Sequence, residues 1–418
     1  MAPARRSSAS ADAAPDLAAV RRAAGRIAGA VLRTPTIAAP ALGAALGLDV
    51  VLKLEILQRT GSFKERGALN KLLSLTHAQA AAGVIAASAG NHAQGLAFHA
   101  QRLGVPATIV MPEATPFVKV ERTAAFGARI LLTGADFSAT EQAAAERAAA
   151  EHLTVVHPYD DHAVIAGQGT IALEMLADHP ELDTLVVPIG GGGLIAGIAL
   201  TAKALKPAIR VIGVEVDSYP AMAAARAGTT PRFGGATLAE GIAVKRPGRL
   251  TLPLVEAYVD DILLVSEARI EEAIDLLVDT QNLVVEGAGA AGVAALIDQP
   301  ARFRDRRVAT VLCGANIDRR VLSSILMRGM ARDGRLIRLR AEIGDTPGML
   351  ARLTRVIGDC GGNIVEITHQ RLLLDVPVKS AEVDVIVETR SRSHIADILA
   401  GLAQAGIVAR LLGATEHG

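Results

Sequence analysis

The segment Gly61–Gly67 places a lysine at the beginning of a predicted helix. Ser62 and Glu65 have the spacing of a capping box, so the helix is expected to begin beside them and to hold Lys64 in its first turn. The positive end of the helix dipole, together with burial, would lower the pKa of that amine. A lysine of lowered pKa forms Schiff bases with carbonyl compounds. For this residue taken alone, a surface lysine in an unfavourable position is the alternative.

A second chemical signal is the run of four glycines at Gly190–Gly193, between an apolar run and the helical segment that begins near Leu194. Successive main-chain N–H groups at a helix N-terminus form an anion site, which suits a phosphate group. The alternative is a tight turn that needs glycine only for close packing.

The same glycines also fit a different cofactor. The pattern Gly191-x-Gly193-x-x-Ala196 matches the relaxed dinucleotide fingerprint, and Glu215 ends the next predicted strand, where a ribose contact is expected. A nicotinamide (NAD)-dependent oxidoreductase is therefore a competing interpretation. It gives no role to Lys64, and the fingerprint usually opens a dinucleotide domain instead of following several strand–helix units.

Two further loops follow predicted strands. Ser88–His92 links a strand to a helix and offers small residues and an amide, which suit the carboxylate of a substrate. A plain loop with Asn91 as a helix cap is the alternative. Cys313 follows another strand and supplies one weak donor, although a structural role is the expectation for a thiol without context.

The secondary structure around these loops predicts how they could be brought together. Short apolar, β-branched runs alternate with alanine-rich helical segments, which indicates an open and mostly parallel α/β sheet. Ligands of such sheets bind beyond the carboxyl ends of the strands. The runs predicted to be strands are Val50–Leu57, Gly83–Ser88, Ala107–Met111, Arg129–Thr133, Thr184–Ile189, Val211–Val216 and Val308–Leu312.

Composition argues against several classes of function. The 43 basic and 43 acidic residues cancel, and aromatic residues make up 2% of the chain, so nucleic-acid binding is not expected. The uncharged stretch Thr184–Ala202 is interrupted by Pro188 and the glycines, so a membrane span is not expected. Cys313 and Cys360 are far apart in the sequence, which predicts no disulfide framework and a reducing, cytoplasmic location.

The chain is predicted to contain two folded parts. Its divisions are a disordered tail at residues 1–15, a catalytic domain at 16–329, a charged linker at 330–335 and a small domain at 336–418. The small domain is predicted to have the βαββαβ order of a ferredoxin-like fold. Its first helix is expected to begin at Pro347, with the preceding threonine as its cap.

A lysine, a phosphate site, a carboxylate site and a weak donor at one sheet edge suit pyridoxal phosphate, an electron sink held as a Schiff base. Residues 17–330 then show a specific resemblance to a known family. They resemble the threonine ammonia-lyases (threonine dehydratases), of the tryptophan-synthase-β-like class of pyridoxal-phosphate enzymes. The motifs that carry the resemblance are Ser62-Phe63-Lys64-x-Arg66-Gly67-Ala68, Ser88-Ala89-Gly90-Asn91-His92-Ala93-Gln94-Gly95, the tetraglycine and Glu240-Gly241-Ile242-Ala243-Val244.

The resemblance implies roles for these residues. Lys64 would hold the cofactor and take the Cα proton of the substrate. Phe63 would lie beside the cofactor ring, and Cys313 would face the pyridine nitrogen, where this class usually has serine. The other residues implied to bind are Asn91, Gly190, Gly191, Gly192, Gly193 and Leu194 for the cofactor, and Ser88, Ala89, Gly90, Asn91 and Gly241 for the substrate. The implied reaction converts L-threonine to 2-oxobutanoate and ammonia, and L-serine to pyruvate.

Two positions refine this expectation. Some relatives bind a divalent metal through a glutamate and a second acid. Glu215 matches the glutamate, but Ala221 stands in place of the second acid, so no metal is expected. Racemases of this fold place a hydroxyl on the cofactor face opposite the lysine, where this chain has Ala89. Elimination without racemisation is therefore expected.

The C-terminal part resembles a single ACT domain through Asp345–Leu350 and Gly361–Ile364. A lone module of this kind would pair with its copy, which predicts a homodimer or homotetramer. Relatives bind amino acids at such interfaces, so the resemblance implies an isoleucine or valine site near Gly348 and Asn363. A purely structural dimerisation module is the alternative.

Three main hypotheses remain. A threonine ammonia-lyase, acting in isoleucine biosynthesis or in threonine catabolism, accounts for all the motifs. A serine-preferring dehydratase, or another β-elimination enzyme of the same fold, would carry the same motifs. A non-catalytic amino-acid sensor that uses only the C-terminal domain is disfavoured by the intact Lys64. The NAD-dependent oxidoreductase is a distant fourth.

Overall fold

The computed structural model describes residues 14–370 and 379–412. The chain divides into two compact units, with the boundary between Ile317 and Asp318. Residues 1–13 of the predicted tail lie outside the described part of the chain, as do the last two residues of the strand predicted at Asn363–Leu372.

The first unit contains two sheets whose strands alternate with helices. Its strands are β1 (Thr36–Ala38), β2 (Asp49–Lys53), β3 (Val84–Ala87), β4 (Ala107–Met111), β5 (Arg129–Leu132), β6 (Thr154–Val155), β7 (Thr184–Pro188), β8 (Arg210–Val216), β9 (Asp261–Val265) and β10 (Arg307–Val311). Its helices are α1 (Leu17–Ile27), α2 (Pro40–Leu46), α3 (Lys64–Leu72), α4 (His77–Ala82), α5 (Asn91–Leu103), α6 (Phe117–Ala124), α7 (Phe137–Glu151), α8 (His162–Asp178), α9 (Gly193–Leu205), α10 (Ala221–Ala227), α11 (Thr251–Tyr258), α12 (Glu267–Gln281) and α13 (Gly287–Asp298).

The larger sheet has the strand order β1-β2-β10-β7-β8-β9, and the smaller sheet has the order β5-β4-β3-β6. Apart from the antiparallel pair of β1 and β2, neighbouring strands in both sheets are parallel. The central strand β7 is buried at every position, as expected for an apolar strand inside a parallel sheet. The predicted parallel α/β fold is therefore confirmed.

The sequence predicts seven of these strands and misses three. The predicted strand Val50–Leu57 is too long, because β2 ends at Lys53 and a 3₁₀ turn follows at Glu55–Leu57. The missed strands, β1, β6 and β9, each lie at the edge of a sheet. β1 and β6 have only three and two residues, so their hydrophobic patterns are too short to predict a strand.

The second unit contains one antiparallel sheet with helices in the βαββαβ order that the sequence predicts. Its elements are α14 (Arg319–Arg332), β11 (Leu336–Gly344), α15 (Met349–Asp359), β12 (Asn363–Gln370), β13 (Ser380–Glu388), α16 (Arg392–Gln404) and β14 (Val408–Leu412). The strand order is β12-β13-β11-β14. Buried aliphatic side chains from the sheet and from α15 and α16, including Leu339, Leu353, Val385 and Ile398, form its core.

Two details of the C-terminal prediction are wrong. The segment predicted as a linker, residues 330–335, begins inside α14, which ends only shortly before Gly334 and its φ of 69°. Helix α15 begins at Met349 and not at Pro347, because Gly348 has a φ of 90°, which no right-handed helix can contain.

No helix in residues 14–370 and 379–412 has the length and apolar character that crossing a membrane requires.

Candidate active site

Two loops of the larger sheet hold Lys64 at the start of α3. The Phe63 N–H donates to the Cys313 carbonyl at 3.1 Å, and the Ala315 N–H donates to the Gly61 carbonyl at 2.9 Å. The residue before α3 is thus paired with the loop that follows β10. This pairing brings Lys64 and Cys313, which are distant in sequence, to the same sheet edge.

The predicted capping box is wrong, although the helix begins where it was expected. Helix α3 has no side-chain cap, and Phe63 precedes it in a helical conformation. The Glu65 carboxylate instead accepts the Thr60 N–H and lies 3.2 Å from His99 Nε2. The buried Ser62 hydroxyl has no hydrogen-bond partner among the described residues. Tertiary contacts have replaced the local cap.

A buried cluster of charges fixes α3 against its neighbours. The Arg66 guanidinium donates two bonds to Glu55, at 2.7 and 2.8 Å, and two to Glu174, at 2.7 and 2.8 Å. Lys53 Nζ donates to Glu174 at 2.6 Å. Because each charge in such a cluster is desolvated, removing one leaves its partner unpaired and is costly. The cluster ties the lysine-bearing helix to the end of β2 and to α8.

The Lys64 amine lies in a partly buried position suited to exchange between its charged and neutral forms. Its Nζ donates to the Pro158 carbonyl at 2.8 Å and lies 5.1 Å from the centroid of the Phe63 ring. Burial lowers the pKa of Lys64 to about 8. The neutral amine, which a nucleophile or base requires, therefore becomes the major form above about pH 8, well below the usual range for lysine.

The tetraglycine connects β7 to α9 and is closely packed on one side. Gly192 has a φ of 95°, which favours glycine. A Cβ added to Gly191 would lie 2.3 Å from the Tyr159 ring. The Gly191 carbonyl accepts the Thr251 hydroxyl at 2.6 Å and the Gly248 N–H at 3.1 Å. The N–H groups at the start of α9 have no acceptor within the helix, so they are available for an anion.

The Ser88–His92 loop links β3 to α5. Gly90 precedes the helix, and its N–H is 3.3 Å from the Ser88 hydroxyl. His92 Nε2 bonds the Val156 carbonyl at 2.8 Å. Burial, helped by the charge of Lys64, lowers the pKa of His92 to about 3, so its ring is neutral. Asn91 is the first residue of α5 and not a cap.

The thiol at the predicted ring-nitrogen position is buried and neutral. Cys313 is 3% exposed, and burial raises the pKa of its thiol well above the usual range, with the charge of Glu286 adding to the effect. Gly241 borders the same space, since a Cβ on it would lie 3.6 Å from Glu286 Oε1. The structure thus brings the predicted loops of the first unit together at one site.

Two residues of this site are missed by the sequence analysis. Glu286, immediately before α13, accepts a hydrogen bond from Asn91 Nδ2 at 2.7 Å. Tyr159 closes the outer side of the tetraglycine, and its segment follows β6, which is too short to be predicted. The only sequence signal for Glu286 is an acid placed directly before a glycine-rich helix.

Glu215 has a different role from either of those considered for it. Its two carboxylate oxygens accept the N–H groups of Met222 and Ala223, each at 2.8 Å, at the start of α10. A carboxylate engaged in this way is not free to bind a ribose. No cluster of three or more His, Cys, Asp or Glu side chains suited to a metal occurs within residues 14–370 and 379–412.

The site fits pyridoxal phosphate. Its glycine cradle has no room for side chains and offers N–H groups to a phosphate, its lysine has a lowered pKa, and its buried Ser62 hydroxyl and His92 Nδ1 have no partners among the described residues. Residues 27–314 match the family described as pyridoxal-phosphate dependent enzyme. The chain belongs to this family, which confirms the predicted cofactor over the nicotinamide alternative.

Within this family, the chain is similar to enzymes named L-threonine ammonia-lyase. The chain is 41% identical to the L-threonine ammonia-lyase of Thermotoga maritima over 92% of its own length and 96% of that enzyme. It is 43% identical to the L-threonine ammonia-lyase of Geobacter sulfurreducens over 91% of its own length and 96% of that enzyme.

The similar solved structures include a threonine deaminase and also a serine racemase. The processed form of threonine deaminase isoform 2 from Solanum lycopersicum is 33% identical, with a TM-score of 0.69, over 74% of this chain and 86% of that one. Maize serine racemase is 33% identical, with a TM-score of 0.71, over 77% of this chain and 99% of that one. Similar proteins of this fold therefore include both a threonine deaminase and a serine racemase.

Proposed function

We propose that this chain removes water and ammonia from L-threonine, giving 2-oxobutanoate, and acts in the same way on L-serine to give pyruvate. The observation that carries the proposal is the Lys64 amine, of lowered pKa, set between two loops that end in helix N-termini. Similarity to two L-threonine ammonia-lyases over nearly the full chain supports threonine as the substrate.

The chain's own residues would share the chemistry as follows. When bound, pyridoxal phosphate supplies an electron sink for the bond broken at Cα. Gly190–Gly193 and the Leu194 N–H would bind its phosphate, Phe63 would pack beside its ring and Cys313 would face the ring nitrogen. The Lys64 amine would take the Cα proton, which it can do only in its neutral form.

The substrate carboxylate would be bound at the loop Ser88–Asn91, where α5 begins. An anion at this end of a helix is stabilised by unpaired N–H groups and by the helix dipole. The Ser88 hydroxyl adds a donor, and Gly90 allows close approach of the main chain. Gly241, on the opposite wall beside Glu286, would cover the bound substrate.

The proposal is tested by one set of measurements on the purified full-length chain. Absorbance of the bound cofactor is recorded with and without L-threonine, and 2-oxobutanoate and ammonia are quantified. We expect a spectral change on adding L-threonine and equal amounts of the two products. A serine-preferring dehydratase would instead show a higher kcat/KM for L-serine.

Racemisation is expected to be absent although racemases are among the similar structures. Position 89, proposed to lie on the cofactor face opposite Lys64, is alanine, and a methyl group cannot donate or accept a proton there. Incubation with L-serine followed by chiral chromatography should show pyruvate and no D-serine. Substantial D-serine would contradict the proposed role of Ala89.

Activity is expected to be independent of added metal. Both oxygens of Glu215 are already bonded to main-chain N–H groups, and burial raises the pKa of this carboxyl to about 7. Together with Ala221 in place of a second acid, this leaves too few oxygen ligands for Mg²⁺ or Ca²⁺. Dialysis against EDTA should change the turnover of threonine by less than about twofold. A large loss that Mg²⁺ restores would contradict this prediction.

We also propose that the second unit senses isoleucine or valine and that the enzyme is a cytoplasmic homodimer or homotetramer. Gly348, with open space around its Cβ position, and the exposed Asn363 are the proposed ligand contacts. Both cysteines are free thiols, which suits a reducing compartment.

Isoleucine is expected to raise the half-saturating threonine concentration. Coupling between two sites is typically about 1–3 kcal/mol, which corresponds to a change in affinity of roughly 5–150-fold. Titrating isoleucine into the full-length enzyme at subsaturating threonine measures the effect, and Asn363→Ala should reduce it without changing basal activity. If neither isoleucine nor valine alters activity or the melting temperature, the unit does not sense these amino acids.

A further inference from the structure

We propose that Glu286 is a positioning residue for this reaction, whose carboxylate holds the Asn91 amide with an N–H group, and not its carbonyl, directed at the cofactor. The inference rests on the proposed function, in which Asn91 bonds the ring oxygen of pyridoxal phosphate. It assigns to Glu286 a role that acts through Asn91.

The Asn91 amide is held from two sides. Its Nδ2 donates to Glu286 Oε1 at 2.7 Å, and its Oδ1 accepts from Asn316 Nδ2 at 2.7 Å. Asn316 Nδ2 also donates to the Thr60 carbonyl at 2.8 Å, so the orientation of this second amide is fixed as well. An amide nitrogen has two donors, and the bond to Glu286 uses one. The other N–H of Asn91 remains for a ring oxygen, which accepts hydrogen bonds.

The position of Glu286 is itself determined by the loop after β10. Its main-chain N–H donates to the Gly314 carbonyl at 3.0 Å. A Cβ at position 314 would lie 2.2 Å from Glu286 Oε1 and 3.1 Å from Asn91 Nδ2. A side chain at position 314 would therefore clash with the hydrogen bond between Asn91 and Glu286, so this position requires glycine.

The protonation state of Glu286 decides which way it can bond. A carboxylate only accepts, whereas a protonated carboxyl can donate to the Asn91 carbonyl and so favour the reversed amide. The titratable groups that act on Glu286 from neighbouring elements are Lys64, Cys313, Glu240 and Lys119. Burial raises the pKa of Glu286 to about 7 in spite of its bond from Asn91. Since the pKa is raised, the carboxylate, which can only accept, is replaced by the protonated form as the pH falls through about 7.

The test uses the full-length protein with pyridoxal phosphate bound and needs no substrate. The absorbance of the bound cofactor is titrated from pH 6 to 8.5 in the wild type and in Glu286→Gln. We expect a transition near pH 7 in the wild type and none in the variant, whose amide can donate and accept at every pH. Glu272→Gln, at a partly exposed carboxylate on α12, is the matched control and should keep the wild-type transition.

A double-mutant cycle separates positioning from a general structural role. Glu286→Ala, which removes the acceptor for the Asn91 amide, should lower kcat/KM for threonine about 10–100-fold, as is typical when a residue that orients a ligand-binding group is lost. In an Asn91→Ala background the same change should have almost no further effect, because the group it orients is gone. Glu286→Asp keeps an acceptor and serves if the alanine variant does not fold; it should retain the transition with a reduced rate.

Two outcomes would overturn the proposal. One is a spectral transition near pH 7 that persists in Glu286→Gln, and the other is additive losses in the double-mutant cycle. The spectral titration depends only on bound cofactor, so it decides the role of Glu286 even if threonine proves not to be the substrate.

Discussion

Lys64→Ala is expected to abolish both the covalent attachment of pyridoxal phosphate and the elimination reaction. The same amine is proposed as the nucleophile that holds the cofactor and as the base that takes the Cα proton, so one substitution removes two functions. A general base alone contributes typically about 10²–10⁴-fold, and we expect a loss of turnover greater than about 10³-fold. The measurements are threonine turnover and the mass of the protein after reduction with borohydride.

Lys71→Ala is the matched control, because Lys71 lies on the same helix and pairs with Asp161 at 2.5 Å, near the surface. The Lys71→Ala protein should still gain the mass of the reduced cofactor after treatment with borohydride, and its turnover should be nearly unchanged. Partly exposed ion pairs contribute about 1 kcal/mol or less to the free energy of unfolding. Normal turnover by a folded Lys64→Ala enzyme would contradict the proposed mechanism.

Gly191→Ala is expected to weaken cofactor binding. The new Cβ would lie 2.3 Å from the Tyr159 ring, so either the ring or the loop must move. Overpacking of this kind costs about 1–3 kcal/mol, which corresponds to a rise of roughly 5–150-fold in the Kd for pyridoxal phosphate. Equilibrium titration of the apoenzyme, followed by absorbance, measures the change.

A second substitution tests whether the clash is the cause. Tyr159→Ala removes the ring, so the double variant Gly191→Ala/Tyr159→Ala should recover part of the affinity that Gly191→Ala loses. Gly25→Ala is the control: the position lies in the last turn of α1 with nothing within 4 Å of the new Cβ. It should leave affinity unchanged and stabilise the helix by about 0.5–1 kcal/mol. An affinity that stays low in the double variant would exclude the ring as the obstacle.

The sequence predicts those parts of the site whose residues form a recognisable pattern within one short segment. The tetraglycine and the lysine motif each occupy one loop between a strand and a helix, and the alternation of these elements predicts a parallel sheet. Once the sheet is parallel, its loops must share an edge, so Lys64 and Cys313 are expected to be close even though their pairing cannot be read from either segment. In the structure, the hydrogen bond from the Phe63 N–H to the Cys313 carbonyl joins the two segments.

The parts that the sequence does not predict depend on distant partners. Asn91 and Glu286 are 195 positions apart, and nothing in either segment specifies the other. The capping box fails for the same reason, because Glu65 meets Thr60 and His99 in the folded chain and these contacts replace the local one. Tyr159 is missed since the strand before it has only two residues.

The boundary between the two units has a consequence for gene architecture. The candidate site is complete at Asn316, and the first unit ends at Ile317. A recombination event at codon 318 could therefore exchange or remove the second unit without touching a codon for any proposed cofactor or substrate contact. A breakpoint only six codons earlier would remove Cys313 and Asn316 together. Selection for an active enzyme thus sets codon 317 as the earliest breakpoint that keeps every residue of the candidate site.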